Sequence, residues 1–158
     1  MKIRIEQDES LAEEEIILRC RALTGEVRQI QNAIASAVGT TQNFILYKED
    51  TEYYVALEDI LFFETENGSL NAHTRDNVYQ TKCRLYELEE MLPGHFLRVS
   101  KSTIVNVWQI YSLRKSSFST ISEAAFFHSH KKVFVSRHYV RALREKLTER
   151  QIQQNPMP

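Results

Sequence analysis

The sequence predicts a mainly β fold with short helices, preceded by a small α/β appendage at the N-terminus. Three observations carry this expectation. From residue 44 onward, short runs rich in aromatic and β-branched residues alternate with polar turns. Asn67-Gly68 separates two such runs, and both residue types tolerate the positive φ that a two-residue hairpin turn needs. Apolar residues recur at helical spacing only near residues 24–38, 85–92 and 138–150.

Taken in order, KIRIE (2–6) alternates apolar and polar residues and predicts a short strand, and EEEIILRCR (13–21) predicts a second. TGEVRQIQNAIASAV (24–38) sets Val27, Ile30, Ile34 and Val38 at helical spacing, with Thr24 placed to cap the first turn. GTTQN (39–43) is small and polar and predicts a linker, which makes residues 1–43 an appendage of strands plus a helix. FILYK, EYYVAL, DILFFETE, SLNAHT and VYQTKC then predict strands. LYELEEML (85–92) predicts a helix stopped by Pro93-Gly94. FLRVS, VWQIYSLRK, FSTIS, AAFFHSH and KKVFVS are strand-like again. A last helix is expected from about His138 to Arg150, with Val140, Leu143 and Leu147 on one face. Residues 44–150 thus form the main domain, and the tail 151–158 is expected to be disordered.

The chain has 158 residues, of which 42% are hydrophobic, and 8 Phe and 7 Tyr stand against 4 Gly and 3 Pro. That composition supports a packed core in one domain and excludes a low-complexity chain. No apolar run approaches the roughly 20 residues of a membrane span. The N-terminus MKIRIEQDE lacks the apolar core of a signal peptide, so a cytoplasmic protein is expected. Cys20 and Cys83 lie far apart without CxxC spacing, which points to two packing thiols in a reduced protein, with a disulfide between them as the alternative.

Net charge is −1, but its distribution is uneven. Residues 1–97 carry 9 Lys and Arg against 18 Asp and Glu, whereas residues 98–158 carry 11 against 3. The basic half favours a polyanionic partner. FLRVSKSTIVNVWQIY (96–111) contains Arg98, Ser100, Lys101, Ser102, Thr103 and Asn106 and no carboxylate. Lys and Arg with hydroxyl and amide donors between them are the mixture that phosphates require. The basic residues fall at strand ends and turns: Arg98 and Lys101, Arg114 and Lys115, Lys131 and Lys132, then Arg137. Strand ends gather at one edge of a small β fold, so these side chains are expected to converge; scattered solubilising charges are the alternative.

Other chemistry has little support. There is no phosphate loop, no HExxH and no zinc-type cysteine pair, so no enzyme activity and no cofactor is expected. His128 and His130, two apart on an expected strand, share a face and would need two further ligands to hold a metal. Asn106 is expected to bond backbone in the turn after its strand. Arg137 has an alternative role as ion-pair partner of Glu145 or Glu149.

FLRVSKSTIVNVWQI, followed about 25 residues later by KKVFVSRHYVRALREKL, resembles the LytTR-type DNA-binding domain of bacterial transcription regulators. DILFFETENG, VYQTKCRLYELEEMLP and the Pro93-Gly94-His95-Phe96 junction fit the same family, and the resemblance spans roughly residues 44–148. It implies an antiparallel fold of about ten short strands, whose loops at one edge enter the major groove of duplex DNA. It also implies that Asn67 and Ser69 belong to the first DNA-facing loop, that Lys101 is the central base contact, and that Arg137 is the last. Arg98, Ser100 and Ser102 would support the loop or hold phosphate, and Lys131 and Lys132 would add phosphate contacts. The sequence departs from the family pattern in having Ser100 where His is frequent, and in a first loop without a basic residue. Residues 1–43 are too few for a receiver domain. The resemblance is therefore to stand-alone regulators, whose implied partners are double-stranded DNA, a second copy in a homodimer, and a small membrane protein that restrains the regulator. The rival from another class is a protein-interaction β module whose basic face binds an acidic protein.

Overall fold

The computed structural model describes residues 5, 6, 10, 15–37, 43–115 and 121–154. Over these residues the order is α1 (Gly25–Ala37), β1 (Asn43–Lys48), β2 (Thr51–Ala56), β3 (Ile60–Glu66), β4 (Ser69–Thr74), β5 (Val78–Thr81), α2 (Leu85–Met91), β6 (Phe96–Arg98), β7 (Thr103–Asn106), β8 (Ile110–Lys115), β9 (Ser122–Phe126), β10 (Lys132–Val135) and α3 (Arg137–Gln154). Two single 3-10 turns, Leu57–Asp59 and Val107–Gln109, lead into β3 and β8. Ten strands in antiparallel sheets are what the family resemblance implies; the aromatic and β-branched runs mark nine of them, and β7 lies between two runs and is not expected from them.

The strands form two sheets. One has seven strands in the order β2-β1-β5-β4-β3-β7-β6, and the other has three in the order β10-β9-β8. β3 lies inside the large sheet and is buried on both faces. Ile60 and Phe63 pack with Leu46, Leu70, Leu88, Leu92 and Ile104 on the α2 side. Leu61 and Phe62 pack with Val105, Phe126, Val133 and Val135 toward the small sheet, where Leu143 of α3 is fully buried. β7 divides its side chains between the two cores, Ile104 to one and Val105 to the other, as the two-residue period of a strand requires. Burying β3 and β7 on both sides removes these two neighbouring strands from water, and this apolar burial is the main stabilising term.

Asn67 and Gly68 have φ of 52° and 80°, as the two central residues of the β3–β4 hairpin turn. Asn106 is 1% exposed. Its Nδ2 donates to the Ile60 carbonyl (3.0 Å) and its Oδ1 accepts from Trp108 N (3.1 Å), the backbone role expected of it. Thr24 caps α1, accepting from Val27 N at 3.4 Å. α1 is tied to the end of α2 by Asn32 Nδ2, which donates to the Met91 carbonyl (2.7 Å).

Three expectations are corrected. Residues 15–20 pair with no strand among the described residues, although EEEIILRCR has a strand-like pattern. An isolated strand has no partner for its backbone groups, so local propensity alone does not make one. α3 runs to Gln154, so residues 151–154 are helical rather than part of a disordered tail. β9 ends at Phe126, and His128 sits in the following turn with φ of 54°, so His128 and His130 do not share a strand face. No group of three or more metal-ligating side chains exists among the described residues. Residues 2–4 of the first expected strand, most of the expected linker and residues 116–120 lie outside the described residues. No described helix is long and apolar enough to cross a membrane.

Candidate nucleic-acid interface

Two backbone hydrogen bonds bring three separate loops to one end of the fold. Thr65 N, just before the Asn67-Gly68 turn, donates to the Ser102 carbonyl (2.8 Å). Ser136 N, just before α3, donates to the Val99 carbonyl (2.9 Å). The 99–102 loop between β6 and β7 therefore lies between the β3–β4 turn and the start of α3. The register agrees, since Glu64 faces Thr103 across β3 and β7.

The central loop is held rigidly. Arg98 is its brace: Nε donates to the Ser100 carbonyl (3.1 Å), Nη2 to the Lys101 carbonyl (2.6 Å), and Nη1 pairs with Glu89 Oε2 (2.8 Å). The fixed fork of a guanidinium suits this task, because one side chain reaches two carbonyls and a carboxylate at once. Ser100 Oγ accepts from Ser102 N (3.2 Å), closing a local turn, and lies 3.4 Å from Ser102 Oγ. Val99 N donates to the Thr103 carbonyl (3.0 Å). With all three guanidinium nitrogens occupied, Arg98 supports the loop rather than projecting from it.

Lys101 and Arg137 are exposed, and neither has an ion-pair partner among the described residues. The rival pairing of Arg137 with the last helix is absent, because Glu145 takes Arg141 (3.3 Å) and Glu149 takes Lys146 (3.2 Å). Asn67 is exposed at the turn and Ser69 half-buried beside it. Asn67, Ser69, Arg98, Ser100, Lys101, Ser102 and Arg137 thus gather at one edge, where Lys101 and Arg137 are exposed.

Lys131 and Lys132 do not join them. Lys131 Nζ donates to the Thr74 and Asn77 carbonyls, both at 2.7 Å, in the turn after β4. That turn is at the opposite end of β4 from Ser69, roughly 17 Å away at the rise of an extended strand. Burial pushes the Lys131 ammonium below its usual range, with Asp76 opposing the shift. Lys132 pairs with Ala125 at the far end of β10 from Ser136, and its Nζ meets Glu123 Oε1 (3.2 Å). The expected convergence fails here because a whole strand separates these lysines from Arg137.

One residue at the edge was not singled out from the sequence as a site residue. Lys115 faces Ser122, which in turn faces Val135, the residue before Ser136. Two strand spacings, roughly 10 Å, separate Lys115 from that point. It is exposed and has no ion-pair partner among the described residues, whereas its neighbour Arg114 pairs with Glu123 (3.3 Å). The available signal was its place at the end of a strand-like run.

At the other end of the fold, two imidazoles are held neutral. His95 stacks on Trp108 with ring centroids 3.7 Å apart, and burial lowers its pKa to about 4. His73 stacks on Phe62 (4.2 Å), and burial, reinforced by Lys131, lowers its pKa to about 4.

This is a small β domain that presents cations from rigid loops at one edge, a design for holding a polyanion. The chain belongs to the LytTr DNA-binding domain family, whose model matches residues 50–148. That family binds DNA and is not a family of enzymes. A protein of Staphylococcus aureus strain bovine RF122 / ET3-1 is 28% identical over 148 residues, covering 94% of this chain and 99% of that one. Another, from strain NCTC 8325 / PS 47, is 27% identical over the same span. Both carry the name "uncharacterized HTH-type transcriptional regulator". Among solved structures, the LytTr DNA-binding domain of a Bacillus cereus protein matches with a TM-score of 0.61 and 22% identity, over 67% of this chain and 96% of that chain. The described helices of the present chain form no helix-turn-helix, since strands stand between α1, α2 and α3 in sequence.

Proposed function

We propose that the chain is a bacterial transcription regulator, acting in the cytoplasm, that reads the major groove of duplex DNA through the edge described above. Lys101 and Arg137 donate to base edges. Ser100, Ser102, Asn67, Ser69 and Lys115 hold phosphates on either side. Arg98 keeps the central loop in one conformation. Lys131 and Lys132 are left out of the contact surface. The chain works as a homodimer on repeated half-sites, and a small membrane protein is its restraining partner, as in stand-alone regulators that it resembles. The observation that carries the proposal is the pair of bonds from Thr65 N to the Ser102 carbonyl and from Ser136 N to the Val99 carbonyl. They set two unpaired cations from distant parts of the chain on one edge.

The test is selection of bound duplexes from a random pool, followed by Lys101→Ala and Arg137→Ala on the best site and its single-base variants. Each variant should lose about 1–3 kcal/mol on the best site and lose discrimination at one base position. Equal losses on every sequence would make the residue a phosphate clamp. DNA binding without sequence preference would weaken the proposal against the rival in which the basic face holds an acidic protein.

A further inference from the structure

Residues 15–20 carry an apolar triplet that the folded chain leaves in water. Ile16, Ile17 and Leu18 are 64%, 59% and 36% exposed, and nothing among the described residues pairs with their backbone. The same stretch has strand-like composition. It therefore has the makings of a strand and lacks only a neighbour.

The order of charges says which neighbour fits. Acidic residues precede the triplet, ending in Glu15, and Arg19 and Arg21 follow it. Laid parallel to a copy of itself, the segment would set Glu15 against Glu15 and Arg19 against Arg19. Laid antiparallel and centred on Ile17, it sets Glu15 opposite the partner's Arg19 and Arg19 opposite the partner's Glu15. Ile17 then faces its own counterpart across the axis, and Ile16 faces the partner's Leu18 on the other side of the ribbon. Opposite charges directly across an antiparallel pair stabilise it, and like charges do the reverse. A segment complementary to itself in this way forms an isologous, two-fold contact. Among the described residues, Glu15 and Arg19 have no ion-pair partner within their own chain.

We propose that residues 15–19 form a two-stranded antiparallel ribbon with the same residues of a second copy, and that this ribbon is the contact of the dimer. A two-stranded ribbon is marginal in water by itself, so the dimer is weak in the absence of DNA. Two chains seated on neighbouring half-sites raise the effective concentration of the two segments, and the ribbon then adds avidity. The segment leads directly into α1, which is fastened to α2 through Asn32 and the Met91 carbonyl, so pairing is transmitted to the body of the domain.

This inference names the contact of the dimer in the proposed function, and its test is run without DNA so that either can fail alone. Sedimentation equilibrium of the full chain carrying Cys20→Ser should show a concentration-dependent dimer. Glu15→Arg and Arg19→Glu should each weaken it about tenfold, since each replaces two attractive pairs by two repulsive ones. The double variant Glu15→Arg/Arg19→Glu should recover the original affinity. An equimolar mixture of the two single variants should form a heterodimer tighter than either homodimer. Ile17→Cys in the Cys20→Ser background should cross-link to itself on mild oxidation. These side chains are exposed, so circular dichroism should show every variant folded. A dimer indifferent to the charge reversals, a strictly monomeric chain, or Ile17→Cys chains that stay uncross-linked would overturn the proposal.

Discussion

Arg98→Ala separates support of the loop between β6 and β7, the proposed DNA-facing loop, from contact with DNA. The side chain makes three recorded bonds, to the Ser100 carbonyl, the Lys101 carbonyl and Glu89. Each such bond contributes about 0.5–1.5 kcal/mol net. Values at the low end apply, because the Arg98 and Glu89 side chains are 28% and 47% exposed and both carbonyls regain water when the guanidinium goes. Folding stability should fall by about 1–2 kcal/mol, measured by urea unfolding. The effect on DNA is larger relative to its cause. Val99 and Ser102 keep their own bonds to Ser136 and Thr65, so Ser100 and Lys101 are the residues released. Re-ordering two residues costs about 1–2 kcal/mol each, and part of that is already met by the Ser100–Ser102 turn. Affinity should therefore drop about ten- to thirtyfold on the best duplex. The ratio of affinities between the best site and each single-base variant should not change, because the base contact proposed for Lys101 is still made once the loop closes. Glu89→Ala should reproduce a small part of the loss. A variant with unaltered stability that loses discrimination at one base would show that Arg98 itself reads the sequence, and the bracing argument would be wrong.

Asn106→Leu removes the bonds to the Ile60 carbonyl and Trp108 N inside the core, and should cost about 2–3 kcal/mol in unfolding experiments while leaving the DNA-binding slope with salt unchanged. Lys131→Met should lower the unfolding midpoint without altering salt dependence, since its ammonium serves the Thr74 and Asn77 carbonyls; Lys115→Ala should flatten the slope of log K against log salt by about one unit. Stability should decline as pH falls from 6.5 toward 4. In that window the unfolded chain protonates His73 and His95 while the folded chain, with both pKa values near 4, does not, so the unfolded state binds more protons. His95→Phe, which preserves the stack on Trp108, should reduce the steepness of that decline; an unchanged pH profile would show that His95 does not contribute to it.

The strands were legible because their signal is local. Aromatic and β-branched runs, bounded by polar turns, gave nine of the ten strand positions and missed β7, which lies between two runs, and Asn67-Gly68 gave a hairpin turn. What the runs do not encode is which strand lies beside which. The pairing of β3 with β7, and the division into sheets of seven and three strands, depend on contacts between distant residues. The same gap explains the lysines. Lys132 and Arg137 are five positions apart in sequence, yet the strand between them carries one to each end of the fold. The site residues expected from the sequence, other than Lys131 and Lys132, all lie in or next to the loop between β6 and β7 or the two loops that Thr65 and Ser136 tie to it. Lys115 was marked in the sequence only as one of several basic residues at strand ends, because its place near the start of α3 arises only through two strand pairings. The strand-like pattern of residues 15–20 shows the converse, in that a correct local preference yields no strand where the fold supplies no neighbour.

Helix α3 acts as a ruler. One end starts beside Ser136, whose amide is fixed to the central loop, and the other is fastened by Arg150, whose Nη1 donates to the Val107 (2.8 Å) and Ile110 (2.9 Å) carbonyls. Inserting or deleting one residue between these anchors would rotate one end by about 100° relative to the other and shift it by about 1.5 Å. Both anchorages and the burial of Leu143 between them cannot then be satisfied together. Sequence drift in this helix is thus confined to exchange of residues at fixed length. A chain that lengthens or shortens α3 should lose Arg137's placement even with every interface residue intact.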